Sequence, residues 1–127
     1  MLVFKLGGNK TLPIPNVRDN TIPEQKLLNF WWYLDGQVKN GGFVQFYYNG
    51  YGKYVPSIIT GLQLIDDQKT ISLLNTVHKE YLQNEKKISQ TEDLFNSDLY
   101  DELDFGGYDD QYYDLSEITI KKIVMFV

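Results

Sequence analysis

Ten carboxylates fall between Glu92 and Glu117: Glu92, Asp93, Asp98, Asp101, Glu102, Asp104, Asp109, Asp110, Asp114 and Glu117, with no lysine or arginine among them. Carboxylates in such numbers suit three kinds of chemistry. A pair flanking a glycosidic bond hydrolyses it, one group as acid and the other as nucleophile or base; here the acids are too many for any pair to stand out. A calcium loop needs oxygens at alternate positions, a central glycine and a glutamate at the twelfth. Asp109, Asp110, Asp114 and Glu117 do not follow that pattern. The third use requires no reaction: a row of unneutralised acids attracts and orients a cationic surface. His78, the only histidine, lies in an amphipathic helical stretch and reads as a packed or surface residue. No serine sits in a G-x-S-x-G elbow, and no G-x-x-x-x-G-K loop is present to hold phosphates. Cysteine is absent, which removes thiolate nucleophiles, thiolate metal sites and disulfides. These residues point to a noncatalytic protein with no metal site and no cofactor.

The distribution of charge sharpens this expectation. The chain of 127 residues has a formal net charge of −5, but the segment 92–117 alone holds −10. The remaining residues hold 7 acidic and 12 basic side chains, a net of +5. A basic body with one acidic segment is a statement about partners rather than fold. On a helix, Asp98, Asp101 and Glu102 stand at i, i+3 and i+4, with Leu99 and Leu103 on the opposite side. Carboxylates four residues apart are separated by about 6 Å along the axis, and phosphates on one DNA strand rise by roughly 3.4 Å per nucleotide. A row extended by Asp104, Asp109, Asp110 and Asp114 approximates spaced phosphate charges. A purely solubilising acidic face fits the same residues equally well, because exposed like charges are screened beyond roughly 8–10 Å.

The elements that position these acids read as helices. Pro23 and Glu24 mark a helix start, and Leu27, Trp31, Leu34 and Val38 follow as a buried stripe, broadened by Leu28 and Phe30. Pro56 opens a helix with Val55, Ile58, Ile59, Leu62 and Ile65 inward; Asp66-Asp67 caps another, with Ile71, Leu74, Val77 or His78, and Tyr81 inward. A loop is expected around Ser89–Asn96, then a helix from Asp98 to Phe105, broken by Gly106-Gly107. Tyr108–Leu115 reads as a turn or short helix, and Ser116 as the cap of a last helix through Ile118, Ile120, Ile123, Val124 and Phe126. The expected fold is mainly α, one domain of about five to seven helices spanning 23–127. Residues 1–22 form an N-terminal extension, extended or a small β-hairpin. No run approaches the length of a membrane span or a signal peptide, and a cytoplasmic location fits.

One stretch stands out for fold rather than chemistry. Asn40-Gly41-Gly42 is a reversal signal; Phe43, Phe46 and Tyr47 follow at i, i+3 and i+4; Gln45 needs hydrogen-bond partners if it is buried; and Asn49-Gly50 is a stop. This run, N-G-G-F-x-Q-F over Asn40–Phe46 followed by Tyr48-Asn49-Gly50 and Tyr54, resembles the signature of the bacterial DNA-mimic protein family. Leu103-Asp104 and Asp109-Asp110-Gln111-Tyr112-Tyr113-Asp114-Leu115 are similar to the family's acidic Leu-Asp and aromatic-Tyr segment. The resemblance covers roughly Pro23 to the end. It implies an all-helical fold and an acidic surface that occupies the DNA-binding face of a helix-turn-helix regulator. Asn40, Gly41, Gly42, Phe43, Gln45, Phe46, Asn49, Gly50 and Tyr54 are assigned to scaffolding.

The candidate partner-binding residues come from charge clustering alone: Asp98, Asp101, Glu102, Asp104, Asp109, Asp110, Asp114 and Glu117. Their expected partner is a basic protein, a helix-turn-helix transcriptional regulator in the first reading. An immunity-type protein that neutralises a toxin is the alternative, and a carbohydrate-active or sugar-binding domain the second. Direct binding of nucleic acid and membrane association are not expected, and a homodimer is left open.

Overall fold

Pro23 starts helix α1 (Pro23–Tyr48), with Glu24 in its first turn beside the positive end of the helix dipole. A 3-10 turn (Tyr51–Tyr54) leads to α2 (Val55–Leu64), then α3 (Gln68–Gln90), the short α4 (Leu99–Leu103) and α5 (Gly106–Phe126). The computed structural model describes residues 23–126; the extension at 1–22, with its expected hairpin, lies outside the described residues. Within them there is no strand, and the fold is mainly α. Helix α1 packs against α2 and α5, and α3 packs against both of those helices and against α1.

The stripe Leu27, Trp31, Leu34 and Val38 is buried, as its spacing requires. After the two glycines the pattern changes: Phe43 to Asn49 are all buried, so this segment is enclosed on every side. A helix apolar nearly all round belongs in the interior. Its one long polar side chain, Gln45, is fully buried and partnered at both ends. Asn40 Nδ2 donates to Gln45 Oε1 (2.9 Å), and Gln45 Nε2 donates to Gln37 Oε1 (2.9 Å). Gln37 Oε1 also accepts from Asn49 Nδ2 (2.9 Å), so the amides bridge the two halves of α1. Aromatic rings fill the adjoining space, with Phe30 on Tyr54 (5.0 Å), Phe46 on Tyr51 (5.9 Å) and Tyr47 on Tyr81 (4.0 Å between centroids). His78 belongs to this packing, its Nδ1 3.1 Å from the Tyr47 hydroxyl, and burial lowers its pKa. The stop at Asn49-Gly50 is real, with Gly50 in the left-handed region (φ 89).

Two expectations are corrected at the C-terminal end. Ser116 does not cap a separate helix: α5 runs unbroken from Gly106, and Ser116 is buried within it. The inward stripe is Tyr112, Ser116, Thr119 and Ile123, three of which carry a hydroxyl. Ile120 is half-buried, while Ile118, Val124 and Phe126 are exposed. Apolar periodicity misreads such a face, because its polar members are satisfied by hydrogen bonds: Ser116 Oγ donates to Tyr113 C=O within α5 (3.4 Å), and Thr119 is bonded at the start of α3. Thr119 Oγ1 donates to Asp67 Oδ2 (2.6 Å), which leaves Thr70 Oγ1 as donor to Thr119 Oγ1 (2.8 Å). The second correction concerns Gly106-Gly107, which open α5 rather than break the helix before it. That helix ends at Asp104, whose left-handed φ of 52 terminates it.

Asp67 also accepts from Thr70 N–H (3.3 Å), capping α3, and Lys122 Nζ lies 3.9 Å away. Removing this buried acceptor is expected to cost about 2 kcal/mol, from a lost cap and an orphaned threonine hydroxyl. Asp67→Ala should therefore lower the Tm by roughly 8 °C. Asp67→Asn, which keeps an acceptor, should lose far less; equal losses in thermal unfolding would contradict the assignment.

Candidate functional site: the acidic segment on the α1 elbow

The chain from Glu92 to Glu117 runs through a loop, α4 and the first half of α5. Helix α4 is only five residues long and could not hold itself in water. Leu99 and Leu103 bury one side of it, and Asp98, Asp101, Glu102 and Asp104 are exposed on the other. The loop before α4 is shaped by Asp93, whose carboxylate accepts from Phe95 N–H (3.2 Å) and Asn96 Nδ2 (2.6 Å). Leu94 is buried beside it.

Tyrosines fasten this segment to α1. Tyr100 Oη donates to Gly41 C=O (2.7 Å), Tyr112 Oη to Asp35 Oδ1 (2.7 Å) and Tyr113 Oη to Val38 C=O (3.2 Å). In the opposite sense, Tyr48 Oη donates to Glu92 C=O (2.7 Å). Tyr108 donates to Glu80 on α3. Burial raises the pKa of Tyr48, Tyr100, Tyr112 and Tyr113, with neighbouring carboxylates adding to the effect. For Tyr108 the hydrogen bond to Glu80 is the larger cause. These hydroxyls therefore remain donors throughout the neutral pH range. Charge clustering missed them, although four tyrosines among the acids were a legible signal. Tyrosine couples an apolar ring to one polar tip, which suits a polar segment that must still be packed down.

The eight candidate residues divide by environment. Asp98, Asp101, Asp104, Asp110 and Asp114 are exposed, and among the described residues none has a lysine or arginine within ion-pair distance. Glu102 is exposed but faces Lys87 (3.2 Å), and Glu117 faces Lys121 one turn on (3.7 Å). Such surface pairs add little stability but do offset the charge of these two acids. Asp109 differs from all of these. It is half-buried, and its Oδ1 accepts from Phe43 N–H (2.8 Å) at the break in α1. A Cβ on Gly42 would lie 2.4 Å from its Oδ2. Asp109 is thus committed internally, and the outward charge comes from its neighbour Asp110.

Burial raises the pKa of Asp109, and Asp110 adds to this, while the Phe43 N–H bond pulls the other way. A carboxyl whose folded pKa is raised contributes most stability below the ordinary carboxylate range, and loses it as pH rises through the folded value. Asp109→Asn removes the charge and keeps the acceptor. Its Tm at pH 7 should equal or exceed that of the unmutated protein, and any gain should vanish as the pH is lowered through the carboxylate range. A lower Tm at pH 7 would show that the charged form is the preferred partner of Phe43.

A shallow groove of about 400 Å³ between α3 and α5, lined by Lys69, Ser72, Gln111, Asp114 and Leu115, holds a single carboxylate. Among the described residues no group of three or more His, Asp or Glu side chains is placed to hold a metal ion. No described helix is long and apolar enough to cross a membrane.

A family model described as DMP19-like protein matches residues 20–127, almost the whole of the chain. None of the curated proteins and none of the solved structures matches it.

Proposed function

This chain belongs to the DMP19-like protein family, and from that premise we propose that it is a noncatalytic DNA-mimic-like binding protein acting through its acidic segment. Asp98, Asp101, Asp104, Asp110 and Asp114 present negative charge to a basic protein, most simply the DNA-reading surface of a helix-turn-helix regulator. The observation that supports this reading is the state of those five carboxylates: exposed, with no lysine or arginine within ion-pair distance among the described residues, and held on or at the ends of helices fastened to α1. Acids held this way keep their spacing, whereas flexible acids attract without specifying. Glu102 and Glu117 lie at the edge of this set, each already paired with a lysine.

The test is capture from the native host on the immobilised protein at low and at high salt. The proposal expects retained proteins that bind DNA and that leave the matrix as salt rises, because contacts between exposed charges weaken with ionic strength. Retention of a toxin would favour the immunity reading. Retention that ignores salt would contradict an acidic interface of either kind.

A further inference from the structure

At the break in α1, the acid-bearing segment bonds two backbone groups of the elbow. Gly41 C=O accepts from Tyr100 Oη (2.7 Å) on α4. Phe43 N–H donates to Asp109 Oδ1 (2.8 Å) on α5. The partners are 59 and 66 residues apart in sequence yet meet the chain on either side of Gly42. Gly42 itself has φ 77 and ψ −179, and the Asp109 carboxylate occupies the space where a side chain would stand. The corner therefore bonds the elbow's backbone and fills the space at Gly42, and the corner, including a five-residue helix, owes its placement to the elbow.

We propose that Tyr100 and Asp109 are positioning residues that join the α1 elbow and the α4–α5 corner into one cooperative unit, opening and closing together. The inference rests on the binding reading above only for its consequence, that a partner seated on Asp101 and Asp110 is felt at Gly41–Phe43. The coupling itself rests on the two hydrogen bonds and the Gly42 contact.

Native-state hydrogen exchange followed by NMR on the full chain tests it. The probes are Phe43 N–H at the elbow, and Glu102 N–H in α4 and Asp104 N–H at its C-terminal cap, which donate to Asp98 C=O (2.9 Å) and Tyr100 C=O (3.3 Å). Gly50 N–H, bonded to Tyr47 C=O (3.0 Å), is the control away from the corner. Asp109→Ala should speed exchange of Phe43 and of both α4 amides by roughly tenfold, the yield of one lost hydrogen bond, and leave Gly50 unchanged. Tyr100→Phe should accelerate the Phe43 amide as well, although it leaves the Asp109 bond in place. Asp109→Asn should restore the original rates. Independent responses, with Tyr100→Phe changing α4 alone, would overturn the proposal, as would an Asn variant that exchanges like the Ala variant. Tyr100→Phe removes a single hydroxyl, so it decides the matter even if Asp109→Ala does not fold. If the amides move together but no basic protein binds, the coupling stands and the functional reading falls.

Discussion

Gly42→Ala is expected to destabilise the fold by about 3 kcal/mol. Two effects combine. A φ of 77 with ψ of −179 lies in a region occupied almost only by glycine, and forcing alanine there costs roughly 1–3 kcal/mol. The new Cβ would also stand 2.4 Å from Asp109 Oδ2, so the carboxylate must swing away and release Phe43 N–H. For a domain of this size the combined loss corresponds to a Tm lower by roughly 12 °C. Gly42→Ala combined with Asp109→Ala should lose less than the sum of the two singles, because the clash and the lost hydrogen bond are then one event. Strict additivity in thermal unfolding would mean that the two residues do not meet. An unchanged Tm for Gly42→Ala would mean that the elbow relaxes to an ordinary conformation.

Reversing Asp98, Asp101, Asp110 and Asp114 to lysine should leave the fold intact and remove partner binding. All four side chains are exposed and unpaired among the described residues, so the folded state loses no internal contact that their charge provides. Surface changes of this kind usually stay within about 0.5 kcal/mol each. The formal charge moves from −5 to +3, and a basic partner then meets like charge. Like-charge juxtaposition across an interface costs several kcal/mol, which corresponds to a loss of roughly a hundredfold or more in affinity. Glu85→Lys, an exposed reversal on α3 outside the segment, should weaken binding far less. If it weakens binding as much per charge as the four together, the protein acts through net charge and not through a defined face. Asp109 is left out of the set because its reversal would break the elbow and confuse folding with binding.

The helices were legible where burial is apolar and the signals are local. Leu27, Trp31, Leu34 and Val38 declare α1 by spacing, Pro56 stands in the first turn of α2, and Asp67 caps α3 through a residue three positions on. The elbow was legible too, since adjacent glycines before an aromatic run leave few other readings. What could not be read locally was the use made of it. Phe43 N–H is satisfied from α5 and Gly41 C=O from α4, by side chains 66 and 59 residues away. The sequence pattern divides α5 at Ser116 because its buried face is Tyr112, Ser116, Thr119 and Ile123, and a hydroxyl shows no apolar signal until its partner is known. Of the eight acidic candidates, seven are exposed as charge clustering implied, and Asp109 turned inward. Adjacent carboxylates look alike in sequence, and only packing separates the cap, Asp109, from the outward charge, Asp110.

If the acidic segment takes the place of DNA on a basic partner, chain and duplex must compete for one surface. A DNA-binding protein captured by this chain would be titrated with the chain in the presence of increasing duplex DNA, at fixed moderate salt. Competitive displacement is predicted: the apparent Kd for the chain rises in proportion to free duplex, no ternary complex forms, and the Asp98, Asp101, Asp110 and Asp114 reversal variant displaces no DNA. A stable ternary complex, or a Kd indifferent to duplex, would contradict it.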